Sequence, residues 1–258
     1  MKSIVCVKQI YDVSSNFFVN QGRIVWGDAP QIINPLDEFA VEAALVQKES
    51  MGGEVIALSI GDENAREALK YALSMGCDSS ILITANESNT LDSLSAASIL
   101  AAAIQKIGDV DLVFFGKQAS DTELGVLAVQ TARKLHWPVL TLVSAITEIS
   151  ETGKSISAIR SMEEGRQSVM AKLPAVLSVN KDFGEPRFPS FMGTRKASKA
   201  VIPIWTLSDL GLSLVSTIVE LDTEYTHQRG AILEMIKGDS SDEIASKMVA
   251  KLMEEKVI

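Results

Sequence analysis

The side chains that could carry chemistry are few and scattered. Cys6 and Cys77 are the only two cysteines, too few for a disulfide framework and without partners at zinc-site spacing. Cys6 lies in an apolar run and Cys77 follows a glycine, so both read as reduced thiols with at least one in the core. Of the two histidines, His136 stands beside Trp137-Pro138 at a helix-to-strand junction and reads as structural. Asp37-Glu38 could form an acid–base pair, but at a helix start they complement the positive end of the helix dipole. No G-x-G-x-x-G, no G-x-x-x-x-G-K-[ST] and no G-x-S-x-G occurs where such motifs act. What remains is loops. Gly116-Lys117-Gln118-Ala119-Ser120-Asp121-Thr122-Glu123 runs from an apolar strand toward a helix, where a glycine permits curvature and helix N–H groups can face an anion. The same stretch also fits an ordinary strand-to-helix loop capped by Asp or Thr. Ser59-Ile60-Gly61-Asp62 is a similar turn. The pattern is that of a binding module more than of a self-contained catalyst.

The elements that would position these loops alternate in period. Ile4-Val5-Cys6-Val7 is a compact run, as in a strand buried on both faces. Asn34 suits an N-cap and Pro35 the first helical position of the next helix. Strands are expected over 55–60, 80–84, 111–116 and 139–143, with helices over about 63–75, 90–107 and up to Leu135. This order argues for an α/β fold: a doubly wound, mostly parallel sheet, with ligands at the carboxyl ends of its strands. The loops after Val7, Ile60 and Phe115 are therefore the ones to watch. Residues 146–160 and 166–180 read as an added hairpin around Glu163-Glu164-Gly165. Residues 200–238 look like an extended arm, and Ser240/Ser241 cap a terminal helix whose stripe of Ile244, Met248, Val249 and Leu252 must dock on its own domain or on a partner.

Composition sets the outer limits. The 258 residues are 47% hydrophobic, enough for a large core and incompatible with wholesale disorder. A net charge of -9 speaks against a general nucleic-acid binder. The N-terminus reads as a strand rather than a signal or transit segment, and no apolar stretch approaches the ~20 residues that span a bilayer. A soluble, cytoplasmic protein is the expectation.

Taken in order, these residues resemble the beta (small) subunit of electron transfer flavoproteins over nearly the whole chain. The resemblance rests on Val5-Cys6-Val7-Lys8-Gln9, Asn34-Pro35-Leu36-Asp37-Glu38, Ala57-Leu58-Ser59-Ile60-Gly61, Ala72–Asp78, Gly116–Asp121, Trp137-Pro138, Lys172–Val176 and Glu185-Pro186-Arg187-Phe188. It implies an electron carrier rather than an enzyme. Such a chain pairs with an alpha subunit that holds the redox-active FAD. The pair takes electrons from an acyl-CoA or other flavin dehydrogenase, ferredoxin or NADH, and passes them to a quinone reductase or another acceptor. It further implies an adenine nucleotide, AMP or a second FAD, in the beta subunit. Val7, Lys8, Asn34, Ser59 and Gly61 would border the adenine, while Gln118, Ala119, Asp121, Thr122 and Gly125 would form the phosphate loop. Leu124, Val126 and Ala128 replace the Thr or Cys, Gln and Gly of the family pattern, which points away from a second FAD and toward AMP or an altered pocket.

The segment 184–199 takes the place of the family's partner-recognition loop, with Phe191 as anchor beside Arg187, Arg195 and Lys196. The flavin-facing aromatic of the family is replaced by Val13, with Tyr11 and Phe17 nearby. By the same resemblance, residues 1–199 form the nucleotide-binding domain and 200–258 the arm and helix that pack on alpha. The alternative is a stand-alone adenine-nucleotide-binding module of the stress-protein-like α/β class.

Overall fold

The computed structural model describes residues 1–20, 23–85, 91–150, 152–213 and 234–257. The chain divides into two units, Met1–Leu221 and Asp222–Ile258. The first is built on a nine-stranded sheet. Within it β1 (Lys2–Cys6) is flanked in parallel by β6 (Glu54–Ile60) on one side and β8 (Leu112–Gly116) on the other. From β1 the chain passes through α1 (Pro35–Met51) to β6, then through α2 (Arg66–Met75) to β7 (Ser79–Thr84), moving outward. Helix α3 (Ser93–Ile107) then carries it back across to β8. The strand order reverses there, so a crevice opens between the carboxyl ends of β1 and β8.

Alternation within each strand divides the core. Val5, Ala57, Phe114 and Leu177 face α1 and α2, whose Ala40, Ala43, Ala44, Ala68 and Ala72 let helix and sheet approach closely. Ile4, Leu58, Ile83, Val113 and Phe115 face α3 and α4 (Leu127–Leu135). Both cysteines are buried, and burial pushes the Cys77 thiol up to about 12. His136 adopts the left-handed conformation that ends α4, the structural place expected of it.

Beyond α4 the sequence reading is refined. Expected as a strand over 139–143 and a hairpin over 146–160 and 166–180, residues 139–180 form four strands: β9 (Val139–Ser150), β10 (Ser155–Met162), β11 (Gly165–Lys172) and β12 (Ala175–Val179). The Glu163-Glu164 turn joins the antiparallel β10 and β11 as expected. Strand β12, however, returns to insert in parallel between β9 and β8. Residues Ile204–Thr206, expected in the arm, form β13 and pair in parallel with β7 at the sheet edge. Lys106 Nζ lies 4.6 Å over the Trp205 ring and fastens that edge. Between β1 and α1 the chain makes two small sheets that the sequence did not announce. They pair β2 (Gln9–Tyr11) with β5 (Gln31–Ile33) and β3 (Phe18–Asn20) with β4 (Arg23–Val25).

In the second unit α6 spans Ser241–Glu254, and Ser240 Oγ accepts the Glu243 N–H, so the expected cap is present. Most of the remaining arm, 214–233, lies outside the described residues. No described helix is long and apolar enough to cross a membrane.

Candidate functional site

A cavity of about 220 Å³ lies at the carboxyl ends of β1, β6 and β8, on the α3–α4 side of the sheet. Leu58, Ile60, Leu100 and Phe115 give it apolar walls. Of the residues singled out from sequence, Val7, Lys8, Gln118, Ala119, Thr122 and Gly125 line it. Ser59 does not. Strand alternation places Leu58 and Ile60 on the cavity side, and Ser59 is buried with no partner for its hydroxyl among the described residues. Gly61 is also off the lining; its N–H goes to the Ile83 carbonyl.

Asn34 acts from behind the wall. Its side chain is fully buried, and its amide donates to the Gln118 carbonyl at 2.9 Å. Its Oδ1 accepts the Ser120 N–H and hydroxyl, both at 3.1 Å. The side chain therefore makes no cap bond to α1, although Asn34 occupies the cap position; the Asp37 N–H is taken by the Asn34 carbonyl. The expected cap residue is thus a strut that fixes the 118–120 loop against the start of α1.

Asp37 is the group that reading the sequence assigned only to helix electrostatics. It lines the cavity, and its Oδ2 accepts the Lys8 N–H at 2.8 Å. The Gly116 N–H and the Asn34 amide also bond to it. One carboxylate thus joins the ends of β1 and β8 to the first turn of α1. Burial raises this carboxyl to about 7, against those hydrogen bonds and the Lys8 charge, which pull it down. Gly116 makes the junction sterically possible. A Cβ there would fall 2.4 Å from Asp37 Oδ1 and 2.6 Å from the Leu36 carbonyl oxygen. We expect Gly116→Ala to cost about 1–3 kcal/mol, as overpacking against backbone does. Chemical denaturation measures it, and an unchanged midpoint would show that the junction yields.

The Lys8 backbone is fully engaged, its N–H by Asp37 and its carbonyl by the Asn34 N–H. Its ammonium is held by both oxygens of Asp121, at 2.7 and 2.9 Å, while Asp121 itself is off the lining. The loop beyond turns back on itself. The Ala119 carbonyl accepts the N–H groups of Thr122 and Glu123, at 3.3 and 2.8 Å. Glu123 and Gly125 both take positive φ, 53° and 63°. Leu124 and Val126 are exposed at the cavity mouth.

The second candidate region is the segment 184–199. Ser190 Oγ accepts the Gly193 N–H and starts a short helix, α5 (Phe191–Ala197), packed on α2. Gly193 lies so close to the Ser74 carbonyl that a Cβ would meet it at 2.2 Å. Phe191 is 83% exposed, and Arg195 and Lys196 are exposed in the last turn. Phe188 at 90% and Met192 at 69%, which the sequence reading left out of the docking surface, join Phe191 as an apolar trio. Arg187 faces the other way: its Nε and Nη2 donate to the two carboxylate oxygens of Glu42 at 2.8 and 2.9 Å, and its Nη1 donates to Glu49. The Glu49 carboxyl is held below its usual range, chiefly by that bond. Of the aromatics near Val13, Tyr11 stacks on Trp26 and Phe17 tilts against the same ring. They form a cluster of their own in the β2–β5 region.

Comparison with known proteins bears on both regions. The sequence model of the electron transfer flavoprotein domain matches residues 23–210. The chain is 33% identical to caffeyl-CoA reductase-Etf complex subunit CarD of Acetobacterium woodii, with all of both chains covered. It is 31% identical to the electron transfer flavoprotein subunit beta of Bacillus subtilis, over 99% of this chain and 98% of that one. Protein FixA of Azorhizobium caulinodans is 33% identical, over 84% of this chain and 79% of its own. With fold, sheet-edge cavity and full-length likeness in agreement, this chain belongs to the electron transfer flavoprotein family, as a member of the beta-subunit kind.

Proposed function

We propose that the chain is the small subunit of a heterodimeric electron transfer flavoprotein, a carrier rather than an enzyme. In this reading an alpha subunit holds the redox-active FAD. The pair moves electrons from an acyl-CoA or other flavin dehydrogenase, or from ferredoxin or NADH, to a quinone reductase or another acceptor in the cytoplasm. The FAD supplies the electron chemistry when bound, and this chain supplies scaffold, adenine-nucleotide site and docking surface. One observation carries the reading. In a chain alike from end to end to beta subunits, the sheet-edge cavity has its one buried acid, Asp37, occupied in holding the walls together.

The cavity suits AMP better than a second FAD. Its volume of about 220 Å³ lies at the small end, under the roughly 300–1,000 Å³ common for drug-sized ligands, which favours the smaller nucleotide. Leu58, Ile60, Leu100 and Phe115 would hold a purine, and Lys8, Lys117 and Thr122 stand at the mouth for a phosphate. The trio of Phe188, Phe191 and Met192, flanked by Arg195 and Lys196, would meet the electron donor, and the arm with α6 would pack on alpha.

Co-expression with the large subunit tests this. The expected product is a yellow heterodimer with one FAD and one AMP. A colourless homo-oligomer that binds nucleotide would favour the stand-alone module, and two FADs would overturn the AMP assignment. In that complex Phe191→Ala is expected to lower kcat/KM for the donor by about ten-fold, with FAD content and melting temperature intact. Unaltered donor kinetics would remove Phe191 from the docking surface.

A further inference from the structure

We propose that binding of a purine in the sheet-edge cavity is coupled to uptake of a proton by Asp37. The bound base displaces the water that this carboxylate faces, and the carboxylate answers by becoming neutral. The inference deepens the nucleotide reading above and rests on it.

The geometry leaves Asp37 few other responses. It is buried and it lines the cavity, so the water nearest its carboxyl is cavity water. The Lys8 N–H holds it at 2.8 Å, and the Gly116 N–H and the Asn34 amide hold it as well. Tethered in this way on the first turn of α1, it does not swing aside when the cavity fills. A purine between Leu58, Ile60, Leu100 and Phe115 brings no charge to offset the lost hydration, and that loss favours the neutral acid.

The surrounding ionisable groups do not cancel the effect. On β1, burial and then the charge of Asp37 push the Cys6 thiol up, so it stays neutral. The Lys8 ammonium, which steadies the carboxylate, is already held by both oxygens of Asp121, off the lining. Lys117 is exposed. Strands β6 and β8 and helix α4 contribute no ionisable side chain to the lining. At the start of α3, Asp92 accepts the Ser95 N–H, and Glu38, next to Asp37 on α1, accepts the Tyr71 hydroxyl. Burial already places Asp37 at about 7, so a further rise on binding falls where the protein works. The complex then holds the proton more tightly than the free protein. Affinity for the purine is therefore full below about 7 and declines as pH rises above it.

Calorimetric titration of the full-length chain in its purified complex, stripped of co-purified nucleotide, reads the coupling with adenosine as the probe. Adenosine brings no group that titrates near neutral pH, so any proton taken up belongs to the protein. Its affinity for the wild type is expected to fall about five-fold from pH 6 to pH 8. Titrations at pH 7.5 in buffers of different ionisation enthalpy should show uptake of about half a proton. Asp37→Asn, whose amide stands in for the protonated acid, is expected to show no uptake and one affinity at both pH values. Equal wild-type affinity at the two pH values, or undiminished uptake in Asp37→Asn, overturns the coupling and leaves the purine site standing. Failure to bind adenosine at either pH overturns the purine assignment, and the coupling with it. Should Asp37→Asn not fold, Glu38→Gln and infrared difference spectra decide. Glu38→Gln is expected to keep the uptake, and adenosine is expected to raise the neutral-carboxyl band of the wild type. Uptake lost in Glu38→Gln, or uptake without that band, would put the proton elsewhere and overturn the proposal.

Discussion

Replacing Arg187 with alanine is expected to slow electron transfer from the donor and to destabilise the chain together. The hydrogen bonds of Arg187 go to α1. Its guanidinium spans Glu42 and Glu49, and its own N–H also donates to Glu42 at 3.0 Å. The Glu42 side chain is only 12% exposed, so alanine at 187 would strand a largely buried carboxylate. Breaking a buried pair from one side costs about 3–5 kcal/mol. The guanidinium here is 33% exposed, so solvent screening brings the expectation to about 2–4 kcal/mol. The consequence for function follows from position. Arg187 fixes the start of the segment that carries Phe188, Phe191 and Met192, and Gly193 seats that segment on α2. Without the clamp, docking must order the trio as well as bury it. Phe191→Ala should lower transfer and leave the denaturation midpoint alone, whereas Arg187→Ala should lower both. Urea denaturation alongside donor kinetics separates the two cases. A normal midpoint for Arg187→Ala would mean that Glu42 finds water or another partner, and the clamp would then be ornamental.

The sheet could be read from the sequence wherever one strand is a continuous apolar run between glycines, as with Val55–Ile60 and Asp111–Gly116. The reading lost precision where elements are short. Ile204–Thr206 spans three residues, too few to show a period, and its place beside β7 depends on partners more than a hundred positions away. Strands β9 to β12 were wrongly divided because Gly153 and Pro174, the punctuation between them, each sit inside one stretch of strand-like composition. The cavity was legible as a set of loops, because the switch-point rule selects the ends of β1, β6 and β8 before any side chain is placed. What each side chain does there was not. Asn34 and Gln118 lie 84 residues apart, and nothing local reveals that the amide of one supports the carbonyl of the other. Ser59 and Ile60 are neighbours in sequence, yet only Ile60 lines the cavity. Arg187 was grouped with Arg195 and Lys196 by proximity in sequence. The fold separates them because two glutamates of α1, about two turns apart, claim the first of the three.

Asp37 illustrates how far a tertiary setting can move a residue from its local meaning. In an isolated helix its charge would be welcome in the first turn. Here the same carboxyl is sealed under β1 and β8, and desolvation outweighs the hydrogen bonds that favour its ionised form, bringing it to about 7 from 3.8. Since the folded chain holds this proton more tightly than the unfolded chain, stability falls as pH rises between those two values. The contribution is fully present below about 4, declines through the interval, and is gone above about 7. At roughly 1.4 kcal/mol per pH unit the whole span is on the order of 4 kcal/mol. Asp37→Asn removes the titration. Its amide mimics the protonated acid that the folded wild type holds below about 7. The variant is therefore expected to melt close to the wild type at pH 5. The difference should then move steadily in the variant's favour toward pH 8, because only the wild type loses stability through this site. Paired thermal melts at half-unit steps of pH give the result, and the difference between the two curves cancels every other titrating group. A gap that stays constant from pH 5 to 8 would place the carboxyl back in the ordinary range. It would also mean that β1, β8 and α1 are joined by a carboxylate already ionised throughout.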